Sequence, residues 1–352
     1  MEHKPDTLVI LSPGFPASEA DTACMPPQQL FVKALKEICP GLRIIVLTFH
    51  YPFSAAEYEW HGVKVIALGG KDDGRLFRLL TWFKAWIALG KINREHHVLG
   101  LLSFWFGECA LIGNYFAKRH RLSHYSWLLG QDAKRGNKYF RWIKPRGDTL
   151  IALSDFLARE VIRNHGVVPA NVIPVGIDIS MFPQLPLKRD IDVLGAGSLI
   201  PLKQYHLFVE AIALLKPFYP DIKAVLCGNG SEMDNLQALA ESLNLNGNIV
   251  FNGEVPHTAV LDLMQRSKIF LHPSNYEGYG AVLAEALFGG AHVVSFCKPM
   301  RQDYRHHHVV KNKDEMFREL LAILKNRNRG HDRVAMCPAE QIAKNMISLY
   351  AD

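Results

Sequence analysis

The sequence predicts an α/β protein made of two doubly wound, Rossmann-like domains, and three observations predict it. Short runs rich in β-branched residues alternate with helical or irregular segments, the pattern of a parallel sheet with crossover connections. The alternation occurs twice, in series that share architecture but not sequence, with a proline-rich stretch between them. At 352 residues the chain is too long for one ordinary domain and long enough for two, each able to bury its own core.

The first series runs through residues 7–11, 43–48, 63–68, 98–102, 125–129 and 149–153. The opening residues, MEHKPDTLVILSPGF, carry only a short apolar run before Pro13 and Gly14, so they read as a first strand and not as a leader. Residues 75–94 have apolar side chains at three- and four-residue spacing, which predicts a helix with Trp82 and Trp86 on or near one face. Two readings of that helix stand: core packing or, if the tryptophans are exposed, attachment to a membrane face.

Residues 174–189 form the expected linker. The second series follows at 191–194, 223–226, 248–251, 268–271 and 292–295, with helices expected over 205–215 and 233–242. Beyond Pro338, Ile342, Met346, Ile347 and Leu349 recur at helical spacing. The expected domains are therefore 1–178 and 186–337, with a helix over 338–352 docking back on the first. Such domains would face each other across a central cleft at the carboxyl ends of both sheets, where open α/β folds bind ligands.

Composition narrows the class without naming a function. Hydrophobic residues at 49% and charged residues at 21% fit a globular chain and exclude a disordered or fibrous one. No run approaches the 18 or so apolar residues that a bilayer-spanning helix needs. The six cysteines lie far apart with no CxxC pair, which indicates neither a zinc site nor a disulfide framework and suits a reducing cytoplasm. The net charge of +6 is compatible with anionic small molecules, acidic membrane surfaces or nucleic acid. Nucleic acid is disfavoured because the basic residues are spread and the aromatic ones fit apolar periods.

The most informative segment is HPSNYEGYGAVLAEALFGGAHVVSF. Gly278 and Gly280 let the backbone approach a ligand closely, and a helix starting near Ala281 aims free N–H groups and the positive end of its dipole at that ligand. A diphosphate is well held there. Glu277, in the loop before the helix, can accept from sugar hydroxyls, and Glu285, about one turn into the helix, can reach a ribose diol. A phosphate cradle flanked by two carboxylates describes a sugar nucleotide.

This segment resembles the Glu-x7-Glu signature of retaining GT-B glycosyltransferases, and the chain most resembles glycosyltransferase family four. VIPVGIDISMF is similar to the family's linker, LGAGSLIPLKQYHLFVEAIALL to the first strand, loop and helix of its donor domain, and AVLCGNGSE to its glycine turn. With the segment 251–256 these matches cover nearly the whole C-terminal half. The resemblance implies a GT-B fold and transfer of a hexose-type sugar, with retention, from a nucleoside diphosphate sugar to an acceptor hydroxyl on a glycan or lipid-linked glycan. It implies no cofactor and no metal at the donor.

Residue by residue, the resemblance gives Glu277 the transferred sugar, Glu285 the nucleotide ribose and Lys203 the donor diphosphate, whose departure a lysine would assist. Ser198 stands where many relatives carry arginine, so its hydroxyl replaces an expected phosphate-binding charge. Gly228, Asn229, Gly230 and Val255, with Gly278, Tyr279, Gly280, Ala281 and Val282, complete the expected donor set. On the acceptor side, Gly14 falls in a loop similar to the family's glycine loop. Asp132 sits in a turn suited to acceptor hydroxyls, to closing the cleft or to capping a helix. The family's histidine after the fourth strand is missing from Ser103–Glu108, with Glu108 a substitute; His96 and His97 stand at the wrong end of that strand.

Two further clusters take a position in this reading. Lys134, Arg135, Lys138, Arg141, Lys144 and Arg146 are either a solvated basic face or a contact for a phosphorylated lipid or acidic membrane, which would make the protein cytoplasmic and peripheral to the inner membrane face. His306, His307 and His308 lie on one extended run, point to alternate sides and are assigned no metal. Rival functions on the same fold are a sugar-nucleotide epimerase, a phosphorylase, and a partner subunit that binds a sugar nucleotide without turnover.

Overall fold

The structure is a computed structural model that describes residues 5–21, 24–70, 74–182, 188–326 and 329–351. It divides into two compact units, Met1–Gly176 with Ala339–Asp352, and Ile177–Pro338. Residues 183–187, inside the expected linker, lie outside the described residues; on either side of them are a 3-10 turn over Ile179–Met181 and the strand that opens the second unit.

Unit 1 follows the chain through β1 (Asp6–Gly14), α1 (Pro26–Ile38), β2 (Arg43–Tyr51), β3 (Ala55–Trp60), β4 (Val63–Leu68), α2 (Gly74–Glu95) and β5 (His97–Phe104). It continues with α3 (Glu108–His120), β6 (Ser123–Leu128), α4 (Tyr139–Ile143), β7 (Leu150–Ala152), α5 (Asp155–His165) and β8 (Asn171–Val172). The sheet order is β3-β4-β2-β1-β5-β6-β7-β8, parallel throughout except for β3 against β4. Central β1 is buried on both faces over Thr7–Ser12, as a covered parallel strand must be.

β3 is absent from the sequence expectation. Its residues AAEYEW alternate weakly and are mostly exposed, so no apolar period marks it. The signal present is the two-residue turn His61-Gly62, both with positive φ (47° and 71°), the geometry that joins antiparallel strands most tightly.

Unit 2 comprises β9 (Ile191–Ala196), α6 (His206–Leu215), β10 (Ala224–Cys227), α7 (Met233–Ser242), β11 (Ile249–Gly253), α8 (His257–Arg266), β12 (Ser267–His272), α9 (Ala281–Phe288), β13 (His292–Ser295), β14 (His307–Val309) and α10 (Lys313–Lys325). Its sheet is fully parallel in the order β11-β10-β9-β12-β13-β14. Neighbours β9 and β12 are where the order reverses, so the carboxyl ends at Ala196 and His272 flank the crevice in which such sheets bind ligands. Consecutive residues of β9 serve opposite layers: Val193 packs under α6, α7 and α10, and Leu194 under α8 and α9.

The chain then returns to unit 1 as α11 (Ala339–Ile347), which packs on α1. Tyr350 fixes the return by donating to the Leu101 carbonyl at 2.7 Å, over Gly100, where a Cβ would fall 2.5 Å from the tyrosine ring. Among the described residues no helix is long and apolar enough to cross a membrane.

Candidate active site

Three loops at the carboxyl end of the unit 2 sheet are laced together by backbone. The Leu199 amide donates to Asn229 O (2.9 Å), Glu232 N to Leu199 O (2.9 Å) and Gly228 N to Gly253 O (2.7 Å). The lacing explains two glycines: a Cβ at Gly228 would lie 1.9 Å from Gly197 O, and one at Gly230 2.3 Å from Leu199 O, both at positive φ. The Gly228-Asn229-Gly230 turn thus makes room for a neighbouring loop of the protein. Asn229 Oδ1 accepts from the Gly230 amide at 2.8 Å. Ser198 is exposed, and Val255 packs on the α8–α9 core layer.

Against these loops stands a three-membered constellation of Lys203, His272 and Glu277. Lys203 closes a 3-10 turn (Pro201–Lys203) and forms an ion pair with Glu277 Oε1, while His272, the last residue of β12, places Nε2 at 2.7 Å from the same oxygen. Lys203 and Glu277 are both mostly buried, and His272 is fully so. Burial alone would raise the Glu277 carboxyl, but the hydrogen bond and charge of His272, and then Lys203, hold it down at about 2. A bond from the Asn275 amide to Leu202 O (3.2 Å) clamps the two loops that carry this pair.

Helix α9 begins immediately beyond. Gly280 is its N-cap at φ 69°, ψ 63°, and among the described residues no side chain caps the first turn, so the amides of Ala281 and Val282 are left for an outside acceptor. Gly278 precedes the cap in the same loop. Tyr279 is buried, which raises its hydroxyl pKa and takes the ring out of the loop's surface. One turn along the helix, Glu285 Oε1 lies 2.9 Å from Nε2 of His257, the first residue of α8. That hydrogen bond raises the His257 pKa above its usual value.

Unit 1 places its expected residues differently. Gly14 ends β1 beside Tyr51, and its carbonyl accepts from Ser12 Oγ at 2.5 Å. Asp132 is not a free polar side chain: its carboxylate accepts from the amides of Phe106 (2.8 Å), Gly130 (2.8 Å) and Leu129 (3.2 Å), and Asn137 braces the same loop. Its burial raises the carboxyl pKa in spite of those bonds.

Glu108 meets Trp82 Nε1 at 2.6 Å and Arg78 Nε at 3.2 Å, with His50 Nε2 at 3.7 Å. A histidine therefore does stand beside Glu108, but it comes from β2 and is oriented by its Nδ1 contact to Gly70 O (3.0 Å). Pro13, His50, Trp105, Gly107, Glu108 and Tyr139 line a cavity of about 350 Å³ there. Trp82 is thus engaged with Glu108, whereas Trp86 is exposed.

The remaining candidates go elsewhere. His307 bonds Ser295 Oγ (2.9 Å), His308 pairs with Glu319 (2.9 Å), and His306 packs edge-on against His292 at 4.4 Å between ring centroids. One Asp-x-Asp triplet that the sequence reading passed over, Asp190-Ile191-Asp192, spends its carboxylates on Arg266 and Lys268. Sequence reasoning missed His272, His257 and His50; His272 stands only five residues before Glu277, at the head of the same segment, whereas His257 and His50 are brought to their carboxylates by the fold.

Residues 178–335 match the family described as glycosyl transferases group 1, and residues 31–181 match glycosyltransferase family 4. Among curated proteins, the chain is 27% identical over 177 residues to a glycogen synthase of Mycobacterium tuberculosis, covering 49% of this chain and 43% of that protein. It is 31% identical over 128 residues to the gpi3 subunit of phosphatidylinositol N-acetylglucosaminyltransferase of Schizosaccharomyces pombe, covering 36% of this chain and 28% of that one. The chain thus spans less than half the length of these curated relatives. Among solved structures, it superposes on Anabaena HepE in complex with UDP and glucose with a TM-score of 0.67 at 16% identity, covering 99% of this chain and 98% of that one. It superposes on a sucrose-phosphate synthase of Thermosynechococcus elongatus with a TM-score of 0.69 at 18% identity, with the same coverage. At these identities the structural likeness speaks for the fold.

Proposed function

Because this chain belongs to the GT-B glycosyltransferases of the family-four type, we propose that it moves a hexose-type sugar from a nucleoside diphosphate sugar to a hydroxyl of a glycan or lipid-linked glycan, with retention of configuration. The observation that carries this reading is the convergence of Lys203 and His272 on one oxygen of Glu277, beside the uncapped start of α9.

Each part has a task in breaking a glycosyl phosphate bond. The amides of Ala281 and Val282 and the helix dipole receive the diphosphate. Lys203 neutralises the charge that builds on the leaving oxygen. Glu277, kept ionised by its neighbours, accepts from sugar hydroxyls and orients the ring while the anomeric carbon becomes oxocarbenium-like. Glu285 takes the ribose diol. The leaving phosphate oxygen accepts the acceptor's proton, so no metal and no separate base is required. The Anabaena neighbour was solved with UDP and glucose, which makes a UDP-linked hexose the first donor to try. The setting in this reading is cytoplasmic and peripheral to the inner membrane face.

The test is transfer by the purified chain with Glu277→Ala as comparison, after a thermal-shift panel of sugar nucleotides has selected the donor. Loss of transfer with the fold intact supports the assignment. Undiminished transfer by Glu277→Ala overturns it.

A further inference from the structure

We propose that the outer face of α2, continued by the exposed sides of α3 and α4, docks on an anionic lipid bilayer. The proposal deepens the reading above by stating where the acceptor is met, and the surface itself stands without that reading.

Helix α2 is apolar on both sides. Its inner side buries Thr81, Ala85, Leu89 and Ile92 against the sheet. Its outer side leaves Phe77, Leu79, Leu80, Phe83, Trp86 and Ile87 in solvent, with Phe77 58% and Phe83 62% exposed. A surface helix of a water-soluble domain normally turns a polar face outward. Large apolar side chains crowded on one exposed helix mark a contact surface rather than scattered surface hydrophobics.

The patch extends beyond α2. The Trp86 ring contacts Phe116 of α3 edge-on at 5.2 Å, and Tyr115 of α3, itself exposed, donates to the carbonyl of Trp142 in α4 at 3.2 Å. Trp142 is exposed, with Lys138 Nζ 5.0 Å from its ring centroid. Aromatic rings with one apolar and one polar side, set among lysines and arginines, suit the boundary between headgroups and acyl chains.

Charge chooses the partner. Between residues 74 and 146, fourteen lysines and arginines stand against three acids, Glu95, Glu108 and Asp132. The surplus of eleven positive charges exceeds the +6 of the whole chain, so the rest of the chain is net negative. Two of the three acids are internal, since Glu108 is tied to Trp82 and Arg78 and Asp132 to backbone amides. Lys84, Lys91 and Arg94 of α2, Lys118 and Arg119 of α3, and Arg141 of α4 are all exposed. Cations around exposed apolar side chains match an interfacial helix on acidic lipid. A second copy of the chain fits poorly, because a two-fold contact would set this positive surface against itself.

The test floats the purified full chain with vesicles of phosphatidylcholine, with and without phosphatidylglycerol. Binding to the phosphatidylglycerol vesicles is expected, weakened at least about tenfold between about 0.1 M and about 1 M salt as screening shortens. Phe83→Glu with Ile87→Glu should cost a similar factor while keeping the unfolding temperature and transfer to a water-soluble acceptor. Glu277→Ala should float like the unaltered chain, which separates failure of this proposal from failure of the catalytic one. Absence of binding, equal binding to both vesicles, or full binding by the double variant overturns it. So does a dimer in light scattering that the double variant converts to monomer without any vesicle binding.

Discussion

Nε2 of His272 lies 2.7 Å from Oε1 of Glu277, and the other ring nitrogen of that histidine is buried with no hydrogen-bond partner among the described residues. The imidazole is therefore held by packing at the end of β12 and has the carboxylate as its polar partner. With Lys203 on the same oxygen, Glu277 is fixed before any ligand arrives, the preorganisation that its proposed role toward the sugar needs.

The arrangement predicts an acid-sensitive contribution to stability. Glu277 is depressed from 4.5 to about 2, so its contribution is complete above about pH 4.5 and is lost as the pH falls through about 2. The difference in unfolding free energy between the unaltered chain and Glu277→Gln should shrink across that window by on the order of 3 kcal/mol. Denaturant unfolding of unit 2 at several pH values measures it.

Lys203→Met should retain the fold and lower kcat by about 10²- to 10³-fold, the cost of losing one preorganised charge at a leaving group. A variant that raises KM alone would show that Lys203 only binds the donor. Steady-state kinetics with the selected sugar nucleotide separates the two.

His257 and Glu285 predict a pH effect on donor binding. The histidine's raised pKa means that the charged pair is complete below the ordinary value of 6.5 and dissolves as pH rises through the folded value. Glu285 is then free to accept from a ribose diol. Donor affinity should increase severalfold on going from about pH 6 to about pH 8, and His257→Gln should remove that slope. Calorimetric titration at fixed ionic strength reads both.

Gly228→Ala should destabilise unit 2 by more than about 3 kcal/mol, because the new Cβ has only the Gly197 carbonyl to enter and the backbone is at φ 132°. Gly247→Ala, where a Cβ meets nothing within 4 Å, is the control and should be near neutral. Thermal unfolding compares them.

What the sequence disclosed and what it hid follow one physical division. The Glu277 loop, the glycine cap and Glu285 lie within nine consecutive residues, so local spacing alone places them on one loop and helix start. The alternation of apolar runs marks β1, β2, β4 to β7 and β9 to β13, because covered parallel strands are mostly apolar; β8 and β14, short and only partly buried at the sheet edges, carry no such run. β3 carries no such pattern, being exposed at an edge. The partners of the acids were hidden for another reason. His50 reaches Glu108 from another strand, and His257 reaches Glu285 from the neighbouring helix, so their meeting is a property of the packed unit. Gly228 was visible as a turn, but whether the turn served a ligand or a neighbouring loop depended on Gly197, which only the sheet brings near.

Tyr350 seals the Leu101 carbonyl of a strand made some 250 residues earlier. Unit 1 is therefore discontinuous in the order of synthesis, and a ribosome must complete all of Ile177–Pro338 before the helix over Ala339–Ile347 can take its place on α1. Unit 2 is contiguous and can close as soon as it emerges. A nascent chain would thus close unit 2 first, with the groove over Gly100 open until the segment from Ala339 to Tyr350 arrives. Truncation within those residues should be felt as poor yield of the whole chain rather than as a defect in unit 2.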